Sequence, residues 1–240
     1  MKSKSITLMA MLGFALALYA ADKPWSDWTM KDAEKILQDS NWAQVQTETD
    51  TSEPVYSPVP RSIDGIGALN QATRLEYTIY FLSAKPIRHA YLRLAELNPD
   101  KTTAAQIEKM REFVAGKEFE KTIVVAVKYA SRDQRFFQTA HAAFSSAITS
   151  TLKNNTYLDI KGGKVPRVFL QEYKPMVPNE NLGAKFIFPR FVDDQLVIDA
   201  KCTDVRFYAE FPPPSGNNRP VKLDMRFKVQ KFMYEGKIEF

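Results

Sequence analysis

The sequence is poor in the residues that do most protein chemistry. One cysteine, Cys202, and two histidines, His89 and His141, occur in 240 residues. A lone thiol forms no internal disulfide. Without a His-x-x-x-His pair or a cysteine spacing, nothing encodes a transition-metal site of imidazole or thiolate ligands. There is no Gly-x-Ser-x-Gly elbow, and Ser83-Ala84-Lys85 has the wrong spacing for a Ser-x-x-Lys nucleophile. Gly162-Gly163 reads as the turn of a hairpin between strands over 157–160 and 165–173 rather than a phosphate cradle, because no helix follows it. The basic excess is also slight. The formal charge of +5 falls to +3 once Lys2 and Lys4 are set aside, and it is dispersed, unlike the clustered face expected of a nucleic-acid binder. No catalytic, cofactor-binding or metal-binding residue is therefore assigned from the sequence.

What is present is core-forming. Hydrophobic residues make up 45% and aromatic residues 12%, enough to bury a full core. Lys2 and Lys4 precede an apolar run over 6–18 and then Tyr19-Ala20-Ala21, the charged, apolar and small-residue order of a secretory signal over 1–21. The run is well short of the ~20 residues of a spanning helix. Cleavage after Ala20 or Ala21 is expected, although Ala15-Leu16-Ala17 fits the small-x-small rule better. No cysteine follows the run, so no lipid anchor is encoded there. The chain is expected to be exported, to the periplasm or outside the cell, with no stable transmembrane anchor once the signal is cut.

The three tryptophans, Trp25, Trp28 and Trp42, all fall in an N-terminal unit over 22–45. They flank a helical stretch, 29–39, with Thr29 as cap and Asp32 in the capping-box place. Ala33, Ile36, Leu37 and Ser40 share one narrow face. A helix this short is not stable alone in water, so it must dock. Either the tryptophans anchor it on its own domain, the favoured reading, or Trp25, Trp28 and Trp42 form a partner-docking arm.

Trp25, Trp28, Thr29, Lys31-Asp32, Glu34, Leu37, Ser40 and Trp42-Ala43 resemble the N-terminal pattern of a group of exported bacterial proteins of unknown function. The ending, from Phe227-Lys228-Val229 through Phe232 to Phe240, is similar to theirs. The resemblance covers the two ends of the chain. It implies export and brings no activity, cofactor or site residue.

Residues 46–70, crowded with Thr, Ser, Pro and Gly, read as a linker or long loop, leaving 71–240 as a single domain. Strands are expected near 75–82, 122–129, 184–192, 196–211 and 221–232. Two helices fill 87–115, and a third of about seventeen residues carries Phe137 and Phe144. Residues 122–129 are apolar on both faces, which suits a covered central strand. Val205, Phe207, Ala209 and Phe211, then Val221, Leu223, Met225, Phe227 and Val229, alternate with polar residues. They predict a long antiparallel hairpin with one buried face. Helices segregated from strands give an α+β fold: a largely antiparallel sheet of about five to seven strands with helices packed on one side.

Candidate chemistry is thin. His141 lies on an apolar helical stripe and reads as a core-edge residue with a hydrogen-bond partner, and His89 as a boundary residue. Cys202 reads as a small buried apolar group. Asp193, Asp194, Asp199 and Asp204 are the nearest thing to a carboxylate cluster, although Asp193-Asp194 is also what a turn selects. These features lead to an exported, non-enzymatic binding or structural protein of the bacterial cell envelope or its surroundings, of unknown partner. The alternatives are a carrier of an apolar small molecule in a cavity between sheet and the Phe137 helix, or a hydrolase if two of those acids meet within ~5–10 Å.

Overall fold

The computed structural model describes residues 23–50, 73–177, 180–213 and 220–240. The expected signal over 1–21, most of the expected linker and the tip of the 204–230 hairpin lie outside the described residues.

The expected hairpin is present. β10 (Asp204–Phe211) pairs antiparallel with β11 (Val221–Lys228), from Asp204 opposite Lys228 to Phe211 opposite Val221. Val205, Phe207, Ala209 and Phe211 are buried, as are Val221, Leu223 and Phe227. The wet face is laced with ions: Arg206 meets Asp224 at 2.6 and 2.5 Å, and Lys228 meets Asp204 at 2.6 Å. The exposed Arg206–Asp224 pair contributes ~0–1 kcal/mol, so the buried face decides the register.

That face is covered mainly by a second sheet rather than by helices. β1 (Ala43–Asp50), β2 (Thr73–Phe81), β3 (Thr122–Ser131), β6 (Glu172–Lys174) and β7 (Ala184–Pro189) form a five-stranded antiparallel sheet in the order β1-β2-β3-β7-β6. β4 (Thr156–Lys161) and β5 (Arg167–Phe169) extend the hairpin into a four-stranded sheet, β11-β10-β4-β5. Phe207 packs on Phe186 and Phe188 at ring distances of 5.2 and 6.3 Å, and Phe227 on Phe81 at 5.0 Å. Burying a phenylalanine contributes ~1.5–3 kcal/mol, which is why this aromatic seam outweighs the surface ion pairs.

The α+β class is as read from the sequence, with five α-helices beside these sheets among the described residues. α2 (Lys85–Glu96) lies on the outer face of the larger sheet, where Tyr91 donates to the Tyr80 hydroxyl at 2.9 Å. α1 (Met30–Gln38) and α3 (Ala104–Val114) lean on α2. Both start with capping boxes, Thr29 with Asp32 and Thr103 with Gln106. α4 (Gln134–Ser146) seats Phe144 among Tyr77, Tyr129 and Phe211 on the inner side. β3, buried by neighbours on both faces, is the expected central strand.

Three expectations are corrected. Residues 46–50 are not linker: they complete β1, pairing Ala43–Asp50 with Tyr80–Thr73. The Gln46 side chain then donates to the Lys222 oxygen at 2.7 Å and accepts from the Asp224 N–H at 2.8 Å, tying the edges of the two sheets. The Thr-rich composition hid a strand whose alternate side chains face water. The third helix is also shorter than about seventeen residues. It ends at Ser146, whose hydroxyl takes the Ala142 carbonyl at 2.7 Å in competition with the helical N–H, and a separate turn, α5 (Thr149–Leu152), follows. Finally, 165–173 is not one strand. Leu170 donates to Thr156 of the smaller sheet at 3.0 Å and Gln171 to Ile187 of the larger at 2.8 Å, so the chain changes sheet there.

Candidate functional site

The residues singled out by the sequence do not come together as a site. Trp28 and Trp42 are buried, and Trp25 stacks on His89 at 4.7 Å. Trp28 gives its indole N–H to Lys23 at 3.1 Å, and Arg93 caps its carbonyl at 2.8 Å. These contacts hold the N-terminal segment on its own domain, the favoured of the two readings of Trp25, Trp28 and Trp42. His89 shares a hydrogen bond with Tyr234 at 2.9 Å, and His141 one with Tyr129 at 2.9 Å. His141 is more exposed than its apolar stripe suggested, lying at the rim over Phe137.

The four aspartates each serve a local purpose. Asp193 and Asp194 take the left-handed backbone, φ 49° and 59°, of the tight turn between β8 (Phe191–Val192) and β9 (Gln195–Leu196). Asp199 accepts from the Lys201 N–H at 2.8 Å and from the Cys202 thiol at 3.4 Å. Asp204 pairs with Lys228. Among the described residues no group of three or more His, Cys, Asp and Glu could hold a metal ion. Cys202 is buried, and that burial pushes its thiol up, away from the reactive thiolate.

Two clefts stand out, and neither borders the Phe137 helix. The space there is filled by packed rings, with Phe144 at 4.4 Å from Phe211. The smaller cleft, about 360 Å³, contains Lys174 and Lys185, which are paired with Glu172 at 3.5 Å and Glu180 at 2.6 Å.

The larger cleft, about 460 Å³, differs in kind. It lies where the start of α2, the turn at Lys117–Glu120, the segment joining β7 to β8 and the last residues of the chain meet. Lys85, Arg88 and Arg190 line it against two carboxylates, Glu120 and Glu239. Lys85 approaches Glu239 at 3.7 Å. Arg88 is only 5% exposed. It donates to the main-chain oxygens of Val114 and Ser83, the latter at 3.3 Å, and its guanidinium lies 4.4 Å over the Phe119 ring. Arg190 donates to the Phe240 oxygen and lies 4.2 Å over that ring.

Neither guanidinium has a carboxylate side chain within 4 Å among the described residues, and the buried Nε of each has no acceptor. Burial lowers the affinity of both for their protons, Arg190 to about 10, with Glu239 countering; both stay cationic at neutral pH. Buried charges are normally paired, because desolvation is otherwise uncompensated. The side chains lining the cleft bring three cations, Lys85, Arg88 and Arg190, against two carboxylates, Glu120 and Glu239, a balance that favours an entering anion.

The local helix chemistry runs the same way. α2 has no side-chain cap at Ala84 and no acidic residue in its first turn; Lys85 and Arg88 stand there instead. Cations at the positive end of a helix oppose the dipole. Such broken rules tend to mark functional positions.

Sequence reading missed this site. Arg88 had a faint signal, since it sits beside Ile87 and one turn before Tyr91 on the apolar side of α2. Arg190, following Pro189 at a strand end, had none. Comparison with protein-family models, with curated proteins and with solved structures gave no match to this chain.

Proposed function

We propose that this chain is an exported, non-enzymatic binding protein of the bacterial cell envelope or its surroundings, and that the Arg88–Arg190 cleft is where it takes an anionic group. Export rests on the charged, apolar and small-residue order of residues 1–21 and on the resemblance at both chain ends. Binding rests on one observation: the guanidiniums of buried Arg88 and half-buried Arg190 line the same cleft, where the lining side chains carry three cations against two carboxylates. Guanidinium keeps its proton and presents planar forked donors, so a site floored by arginines suits holding an oxyanion rather than moving protons. Lys85 and the uncapped start of α2 add favourable potential from one side.

Calorimetric titration of the mature chain with acetate and with inorganic phosphate tests the reading. Saturable binding to at least one anion is expected, weakened at least tenfold in Arg190→Gln, since a charge-assisted hydrogen bond contributes ~1.5–3 kcal/mol. Lys85→Gln, at the solvent edge, should weaken it less while leaving the fold intact. No saturable heat from either anion, or equal binding by Arg190→Gln, would overturn the proposal.

A further inference from the structure

The mouth of the cleft is as unusual as its floor. Phe191 and Leu196 face each other across the β8–β9 ribbon and remain 48% and 36% exposed. Both line the cleft, together with the Val114 end of α3 and the Phe119 ring. Scattered exposed apolar residues need no explanation. Here, however, two large ones are placed as a cross-strand pair at the rim of a cleft whose floor is cationic. The tight Asp193-Asp194 turn and the Val197 N–H bonded to the Arg190 oxygen at 2.9 Å hold the ribbon in that position. Arg190 immediately precedes Phe191, so one segment supplies both the charge and the apolar lip.

We infer that the ligand is a single-chain amphiphile, whose anionic head of carboxylate or phosphate chemistry meets Arg88 and Arg190 while its apolar tail leaves across Phe119 and the Phe191–Leu196 lip. This rests on the anion-binding reading of the same cleft and adds the tail. A volume of about 460 Å³ suits a ligand of modest size. The head compensates the buried charge, and the tail withdraws apolar surface from water on both partners. Neither part alone uses the whole site: a bare oxyanion leaves the lip wet, and a neutral hydrocarbon makes no use of the cationic excess of the floor.

The test is a chain-length series measured below micelle-forming concentrations: acetate, butyrate, octanoate and dodecanoate, with dodecyl phosphate and neutral dodecanol beside them. Affinity should rise about fourfold for each methylene that becomes buried, and dodecanol should bind at least tenfold more weakly than dodecanoate. Dodecyl phosphate against dodecanoate reports which head the floor prefers. In the double variant Phe191→Ser and Leu196→Ser, both at exposed positions, acetate and phosphate should bind as before while the dependence on chain length flattens. If short anions bind but lengthening the chain gains nothing, or if the lip variant keeps the full dependence, the amphiphile inference falls while the anion site stands. If no member of the series binds, both fall.

Discussion

Trp42 donates its indole N–H to the main-chain oxygen of Glu239 at 2.8 Å, closing the beginning of β1 onto the end of the chain. The same indole packs near Phe232 and Tyr234, at ring distances of 6.4 and 6.2 Å. Glu239 is the residue whose carboxylate meets Lys85 at the cleft. The N-terminal unit therefore reaches the candidate site through one hydrogen bond and one ion pair.

Replacing Trp42 by Phe keeps a six-membered ring and removes the donor together with part of the buried indole. The Glu239 oxygen then lacks its partner in a half-buried place. A loss of ~1–3 kcal/mol in urea unfolding is expected, the range for leaving a buried acceptor unsatisfied. A stability unchanged within error would show that the N-terminal unit is held by ring packing alone.

His89 should make stability depend on mild acid. Burial, then Arg88 and Lys85, lower its imidazole from 6.5 to about 4. The unfolded chain takes the proton near pH 6.5 and the folded chain only near pH 4. The stability contributed by neutral His89 is therefore complete above pH 6.5 and is lost as pH falls through that window. Carboxylates such as Asp32 and Asp224, held below 3.8 by hydrogen bonds to Thr29 and Arg206, titrate beneath it. The urea midpoint should drop between pH 7 and 4.5 in the wild type and drop less in His89→Gln. Identical losses in the two proteins would remove His89 as the cause.

Gly183 opens β7 with φ +72°, and a Cβ there would sit 2.4 Å from the Val127 oxygen. Gly236, with φ +75°, has nothing within 4 Å of the corresponding position. Gly236→Ala should cost only the left-handed backbone, ~1–2 kcal/mol. Gly183→Ala should cost that and a further ~1–3 kcal/mol for the clash. Equal losses would mean that Val127 moves aside freely.

Much of the local structure was legible. The alternation over 204–230 shows which face of each strand is buried, and Thr29 with Asp32 marks the start of α1, because such signals depend on residues within a few positions of one another. Asp193-Asp194 was readable as a turn for the same reason. β1 was not, since Thr, Gln and Glu on a half-wet strand look like loop composition. The candidate site was almost invisible. Arg88 and Arg190 belong to different elements, and neither pattern nor spacing announces that their guanidiniums share a cleft.

The sequence by itself determined the α+β class, the buried faces and the caps, because periodicity and capping are short-range. Only tertiary structure decided that the strands divide into two facing sheets and that Gln46 ties their edges. It also decided that two arginines meet beneath the Phe191–Leu196 ribbon. The physical reason is that an apolar face specifies burial without specifying its partner. Which surface covers Phe207, and which charges converge on one cleft, is settled only when all elements compete for the same core at once.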